Sequence, residues 1–140
     1  MRKDQQKFIS FDPGDVHVGV AVFDQGRCVQ CMEQTPLGSL KMLLGLLKDK
    51  ELDHVVIERY QLYPNKAMLQ SGSDMLTSQL IGAMRALAWL YDVPVTIQQA
   101  ALKKPTEALI RRRKIERLSL GEGNHARDAE THGYTYLWKD

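Results

Sequence analysis

Residues 7–24, KFISFDPGDVHVGVAVFD, constrain this chain more than any other stretch. Phe8, Ile9, Ser10 and Phe11 form a nearly continuous apolar run that ends on an acid, Asp12. The chain then turns at Pro13 and Gly14 and re-enters an alternation through Val18, Val20 and Val22. Apolar runs bounded by turn residues read as strands, so two antiparallel strands are expected, with a carboxylate where the first one stops. A carboxylate closing a buried run is costly unless a cation or hydrogen-bond donors meet it. Two explanations stand side by side here. Asp12 opens the Pro-Gly turn through its side-chain oxygen, or it is a metal ligand.

The next segments extend a sheet. Asp24, Gln25 and Gly26 make a turn, and residues 27–34 alternate well enough for a third antiparallel strand. Residues 36–38 break the chain, and Ser39 is the expected N-cap of a helix carrying Leu40, Met42, Leu43, Leu44, Leu46 and Leu47. Val55, Val56 and Ile57 are a short β-branched run of the kind buried on both faces, and it ends in Glu58. A strand-helix-strand order places such a strand parallel to an earlier one. Neighbouring parallel strands bring their C-terminal ends to one edge, where open α/β sheets hold their sites. Asp12 and Glu58 are therefore expected side by side.

Residues 60–74 read as a loop carrying Tyr60, Tyr63 and Lys66, and residues 75–91 as a strongly apolar helix packed on the sheet. Pro94 confines the strand at 93–97 to the periphery. A further helix is expected from Pro105 to about residue 118, with Ala108, Leu109, Ile115 and Leu118 inward. Lys103, Lys104, Arg111, Arg112, Arg113, Lys114 and Arg117 give this region a local basic excess over Glu107 and Glu116, although the net charge of the chain is only +2. Such a row suits a phosphate backbone, and equally a solvated helix face. Asn124 is expected to cap a last helix, in which His125 and Asp128 share a face at i and i+3, with His132 one turn further on.

A chain of 140 residues has room for one well-filled core, hence a single domain over 1–140. Its 44% hydrophobic and 26% charged residues are those of a soluble globular protein. No apolar run reaches the length of a membrane span or a signal peptide, so a cytoplasmic location without membrane contact is expected. Cys28 and Cys31 form a lone CxxC with no second pair and no nearby histidine, so zinc is not expected. On a regular strand their side chains point to opposite faces, which argues against a redox pair as well.

Three motifs, FDPGDVHVGVAV, VVIERY and HARDAETHG, together with this element order, resemble the ribonuclease H-like nucleases and most closely the RuvC-like Holliday junction resolvases. The compact length resembles a bacteriophage-type member. The resemblance implies a ribonuclease H-like α/β fold: a mixed five-stranded sheet, three antiparallel strands then two parallel, flanked by helices. It carries over residue by residue to Asp12 on the first strand, Glu58 on the fourth, and His125 and Asp128 on the last helix as catalytic and metal-binding groups. Histidine at the first helical position occurs in the family. Two departures stand out: Val18 replaces the usual threonine before the glycine, and Glu130, His132 and Tyr134 lie where an alanine-rich apolar helix is usual. Glu122 or Glu130 is thus an alternative ligand to His125.

The implied activity is structure-selective hydrolysis of DNA junctions by paired nicks, using two Mg²⁺ ions about 4 Å apart that carboxylates from separate elements hold, with Mn²⁺ able to substitute. A nitrogen donor at His125 suits a transition metal better than Mg²⁺, or suits handling of water. Lys103, Lys104, Arg111, Arg112, Arg113, Lys114, Arg59 and Lys66 would grip DNA, and Tyr60 or Tyr63 would stack on an unpaired base. The two-fold symmetry of a four-way junction implies a homodimer, for which the 75–91 helix is the natural surface. Neighbouring readings are a ribonuclease H, a broad flap nuclease and a non-catalytic junction binder. An actin-like phosphotransferase needs two such domains and does not fit the length.

Overall fold

The computed structural model describes residues 1–60 and 67–139, with side chains for all of these except 67–75. Its five strands are β1 (Lys7–Asp12), β2 (Val18–Asp24), β3 (Arg27–Gln34), β4 (His54–Glu58) and β5 (Val95–Gln98). They form one sheet in the order β3-β2-β1-β4-β5. β1 to β3 are antiparallel neighbours, while β4 runs parallel to β1 and β5 parallel to β4. Helices α1 (Pro36–Lys48), α2 (Ala67–Leu90), α3 (Lys103–Arg112) and α4 (Asn124–Trp138) cover it. Among the described residues no helix is long and apolar enough to cross a membrane.

Strand alternation divides the core in two. Ile9, Phe11, Val20, Val22, Val55 and Ile57 pack with Leu43 and Leu47 of α1 and Leu80, Met84 and Ala88 of α2. Phe8, Ala21, Phe23 and Val56 face the other way, toward Ile110 of α3 and Ala129, Tyr134 and Tyr136 of α4. Asp12 and Glu58 have the parity of Phe8 and Val56, so both carboxylates belong to the α4 side. That one fact of register decides which helix completes the site.

α4 sits close because two glycines let it. A Cβ on Gly19 of β2 would overlap the backbone of His125 and Ala126, and one on Gly133 would overlap the Phe23 ring. The N-cap of α4 is Gly123, at φ 107°, with Asn124 already helical, so Asn124 is not the cap. The cap comes from across the fold: Glu33 of β3 accepts the His125 backbone N–H at 3.0 Å. A carboxylate there also meets the positive end of the helix dipole.

Other boundaries differ from expectation for local reasons. α1 starts at Pro36, not after Ser39, because Thr35 caps it by accepting the Gly38 N–H and proline suits the first turn. Ser39 is buried inside the helix and donates to the Pro36 carbonyl at 2.7 Å. α2 begins at Ala67, so much of the stretch read as loop is helical, including Gly72 and Ser73. α3 ends at Arg112 rather than near 118, since Lys114 adopts φ 55° and turns the chain. Ile115 still reaches the core, but Leu118 is exposed. The cysteines are corrected as well. A bulge shifts the β2–β3 register between Val22 and Phe23, pairing Phe23 with Cys28 and Ala21 with Cys31, so both thiols face α4. They are free, with Cys28 donating to the Gln30 carbonyl and Cys31 to that of Ala126.

Candidate active site

The parallel register sets Phe11 beside Ile57, and one residue later each strand ends in its acid. α4 lies over that edge and adds Asp128 just past its first turn. Carboxylate oxygens of Asp12, Glu58 and Asp128 all lie within 4.8 Å of one another. Asp12 and Glu58 are buried. Three all-oxygen donors converging from β1, β4 and α4 are what a hard divalent cation requires. The cradle already holds a cation, since Lys103 Nζ lies 3.0 Å from Glu58 Oε1 and 3.1 Å from Asp128 Oδ2. An ammonium bridging two of the three carboxylates stands in for an ion, so the residues fit a divalent metal.

His125 does not join that trio. Its Nδ1 lies 2.8 Å from Asp12 Oδ2, a contact that orients the aspartate. The two alternative ligands fall elsewhere: Glu122 is exposed, and Glu130 is fully buried beside Cys28 and Cys31 and bonded to Arg117.

Burial pushes the Asp12 carboxyl up to about 8, with Glu58 adding to the rise and the His125 bond opposing it. Burial would also raise Glu58, but the donors around it, His132 first, then Asp12 and Lys103, hold it below the usual carboxylate range. Asp12 therefore keeps a proton near neutrality and Glu58 is the anion. The bond to Asp12 raises His125 despite its burial. Burial would lower Lys103, and its two carboxylate partners raise it above an ordinary lysine. Below about pH 8 an incoming cation must displace the Asp12 proton, so divalent-metal affinity should fall about tenfold for each pH unit below that point and level off above it. Calorimetric titrations with Mn²⁺ at pH 6.5, 7.5 and 8.5 measure this, and a pH-independent affinity would contradict it.

Among residues expected to touch DNA, Lys104, Arg111, Arg112, Arg113 and Lys114 are exposed on α3 and just beyond it. The Arg113 guanidinium sits 4.4 Å from the centre of the Trp138 ring. Arg59 is exposed where β4 exits, and with Tyr60, Ser78, Ile81, Arg85 and Ile97 it lines a cavity of about 380 Å³. Tyr63 and Lys66 lie outside the described residues. Arg117 leaves the basic row altogether, bonded to Glu107, Glu130 and Thr131. Sequence reasoning missed Lys103 as a site residue proper. Its place at the first turn of α3, directly after the strand next to Glu58, was the available signal.

Sheet order, helix placement and the acids at one rim define a ribonuclease H-like fold of the RuvC arrangement. RuvC from T. thermophilus in complex with Holliday junction substrate matches at TM-score 0.73 and 18% identity, over 94% of this chain and 92% of that one. A second Thermus thermophilus RuvC structure matches at 0.67 and 18%, over 92% of each. Fowlpox virus resolvase with substrate Holliday junction DNA matches at 0.58 and 13%, over 94% of this chain and 96% of that one. No protein-family model matches the sequence, and no curated protein is similar to it at a significant level.

Proposed function

We propose that this chain is a divalent-metal-dependent endonuclease that resolves four-way DNA junctions by paired nicks. The observation that carries this is the meeting of Asp12, Glu58 and Asp128 from three separate elements within 4.8 Å, on a fold shared with junction resolvases. Mg²⁺ is the expected metal, with Mn²⁺ as a substitute. Asp12, between the other two acids in this reading, would serve both ions, Glu58 one and Asp128 the other. Bound ions supply charge stabilisation for the attacking water and the departing oxygen.

The chain's own groups do the rest. His125 holds Asp12 through Nδ1, leaving Nε2 to take a proton from water or to act as a further ligand. With the carboxylates engaged by an ion, Lys103 would be free to contact the scissile phosphate. Lys104 continues from Lys103 along α3, and the 1.5 Å rise of a helix sets Arg111 and Arg112 about 12 Å further on, so one helix joins the site to a phosphate-gripping row. Arg59, Arg113 and Lys114 extend that surface. Lys66, outside the described residues, would add to that grip, and Tyr60, or Tyr63 outside the described residues, would stack on an unpaired base at the junction centre. Exposed Leu76, Trp89 and Leu90 make α2 the proposed homodimer face, and a two-fold dimer sets one site on each of two opposed strands.

The test is incubation of the purified protein with a labelled four-way junction, a flap, an RNA–DNA hybrid and plain duplex, with Mg²⁺ and with EDTA. Symmetric nicks in the junction that vanish with EDTA are expected. Cutting confined to the hybrid would instead identify a ribonuclease H, and preference for the flap a broader branched-DNA nuclease.

A further inference from the structure

α4 carries a histidine in a place where the fold has no structural need of one. His132 lies one helical turn past Asp128 and is completely buried. Apolar side chains fill most of the surroundings on this side of the sheet, so an imidazole here requires partners for both nitrogens.

Its Nδ1 lies 3.2 Å from the side-chain nitrogen of Gln98 on β5, and that same nitrogen donates to the His132 backbone carbonyl at 2.9 Å. A backbone carbonyl only accepts, so it settles which end of the Gln98 amide points toward α4. The amide nitrogen has two hydrogens and no acceptor capacity. One goes to the carbonyl and the other to Nδ1, which must therefore accept. The ring proton is left on Nε2.

Nε2 faces Glu58. It lies 3.5 Å from Oε2, and both atoms are buried without another hydrogen-bond partner. Gln98 and Glu58 are paired neighbours in the β4–β5 register, so one strand pair and one helix turn close the circuit. The other Glu58 oxygen, Oε1, is the one turned to Lys103 and the carboxylate cradle.

We propose that His132 is a positioning residue for the metal centre: Gln98 pins its tautomer, and its Nε2–H holds the inner oxygen of Glu58 so that the outer oxygen faces the ion. This rests on the metal-binding part of the proposed function, the reading of the three carboxylates as an ion cradle. His132 touches neither substrate nor ion, and acts through Glu58 alone. A 3.5 Å separation is long for a hydrogen bond, and such contacts tighten when an active site is loaded. Partners that orient a metal ligand from behind are worth about 10–100-fold in metal affinity or activity.

Three measurements on the full chain test this. Nitrogen-15 spectra of labelled histidine in the metal-free protein should show His132 protonated on Nε2 and bare on Nδ1. Mn²⁺ titration of His132→Phe, an aromatic replacement suited to an apolar pocket, should show affinity about tenfold to a hundredfold weaker with the fold retained by circular dichroism. His132→Gln, which restores a donor, should recover part of the loss. A proton on Nδ1, or equal Mn²⁺ affinity in wild type and a folded His132→Phe, would overturn the proposal. So would a wild type with no measurable Mn²⁺ affinity. A wild type that binds Mn²⁺ but leaves every junction intact would defeat the nuclease reading alone, and the His132 assignment would stand.

Discussion

Asp12→Asn should abolish junction cutting while leaving the fold and junction binding intact. The amide is close in shape to the protonated carboxyl that burial favours at this position, and its oxygen can still accept from His125, so the metal-free protein loses little. What goes is a carboxyl able to give up its proton and become an anionic ligand when an ion binds. Ion-borne charge stabilisation in phosphodiester hydrolysis is worth several kcal/mol, and at about 1.4 kcal/mol per decade its loss is about a thousandfold or more in rate. The basic surface on α3 is untouched, so electrophoretic mobility shift in EDTA should give the wild-type affinity for a four-way junction. A folded Asp12→Asn protein that no longer binds the junction would contradict this separation of gripping from cutting. Residual cutting within tenfold of wild type would remove Asp12 from the centre of the chemistry.

The carboxylate rim was legible because it depends on two short-range rules. Strand alternation gives Asp12 the parity of Phe8 and Glu58 the parity of Val56, and a parallel crossover aligns the two strand ends. Neither rule needs knowledge of distant contacts. The start of α1 was misread over a purely local cap at Thr35, but several other misplaced details involve partners remote in sequence. The bulge that turns Cys28 and Cys31 to one face is a mismatch between two strands, invisible to either strand's own pattern. α3 stops at Arg112 because the following residues serve α4, and a charge run cannot reveal which of its arginines is drawn inside. The N-cap of α4 is supplied from β3, ninety-two positions away from the N–H it satisfies. His132 looked like a departure from an apolar helix, and its explanation lies on β5, the strand with the weakest signal of its own.

Glu130 gives the largest expected effect on stability. Its side chain is completely buried, which is tolerable for a carboxylate only with full hydrogen bonding. Arg117 Nε donates to it at 2.6 Å, Ser119 Oγ at 2.7 Å and the Leu118 backbone N–H at 2.8 Å. The same guanidinium reaches Glu107, the Thr131 hydroxyl and the Arg127 carbonyl. One buried acid thus anchors the segment between α3 and α4 that links the basic row to the helix of Asp128. Glu130→Ala leaves Arg117 with Glu107 as its carboxylate partner but unpairs its Nε and two further donors, and breaking a buried network from one side costs about 3–5 kcal/mol. For a chain of this size that is a fall of about 10–20 °C in melting temperature. Arg111→Ala, on the exposed row, should change stability by about 0.5 kcal/mol or less. Trypsin should cut the Glu130→Ala protein at Arg113, Lys114 or Arg117 much sooner than the wild type. Mn²⁺ affinity in the surviving folded fraction should stay within a few-fold of wild type, because Glu130 belongs to the loop anchor and not to the cradle. A melting shift under about 3 °C would mean that the Arg117–Glu130 pair is solvated and weak, as surface ion pairs are. Loss of metal binding at unchanged stability would instead return Glu130 to the ligand set.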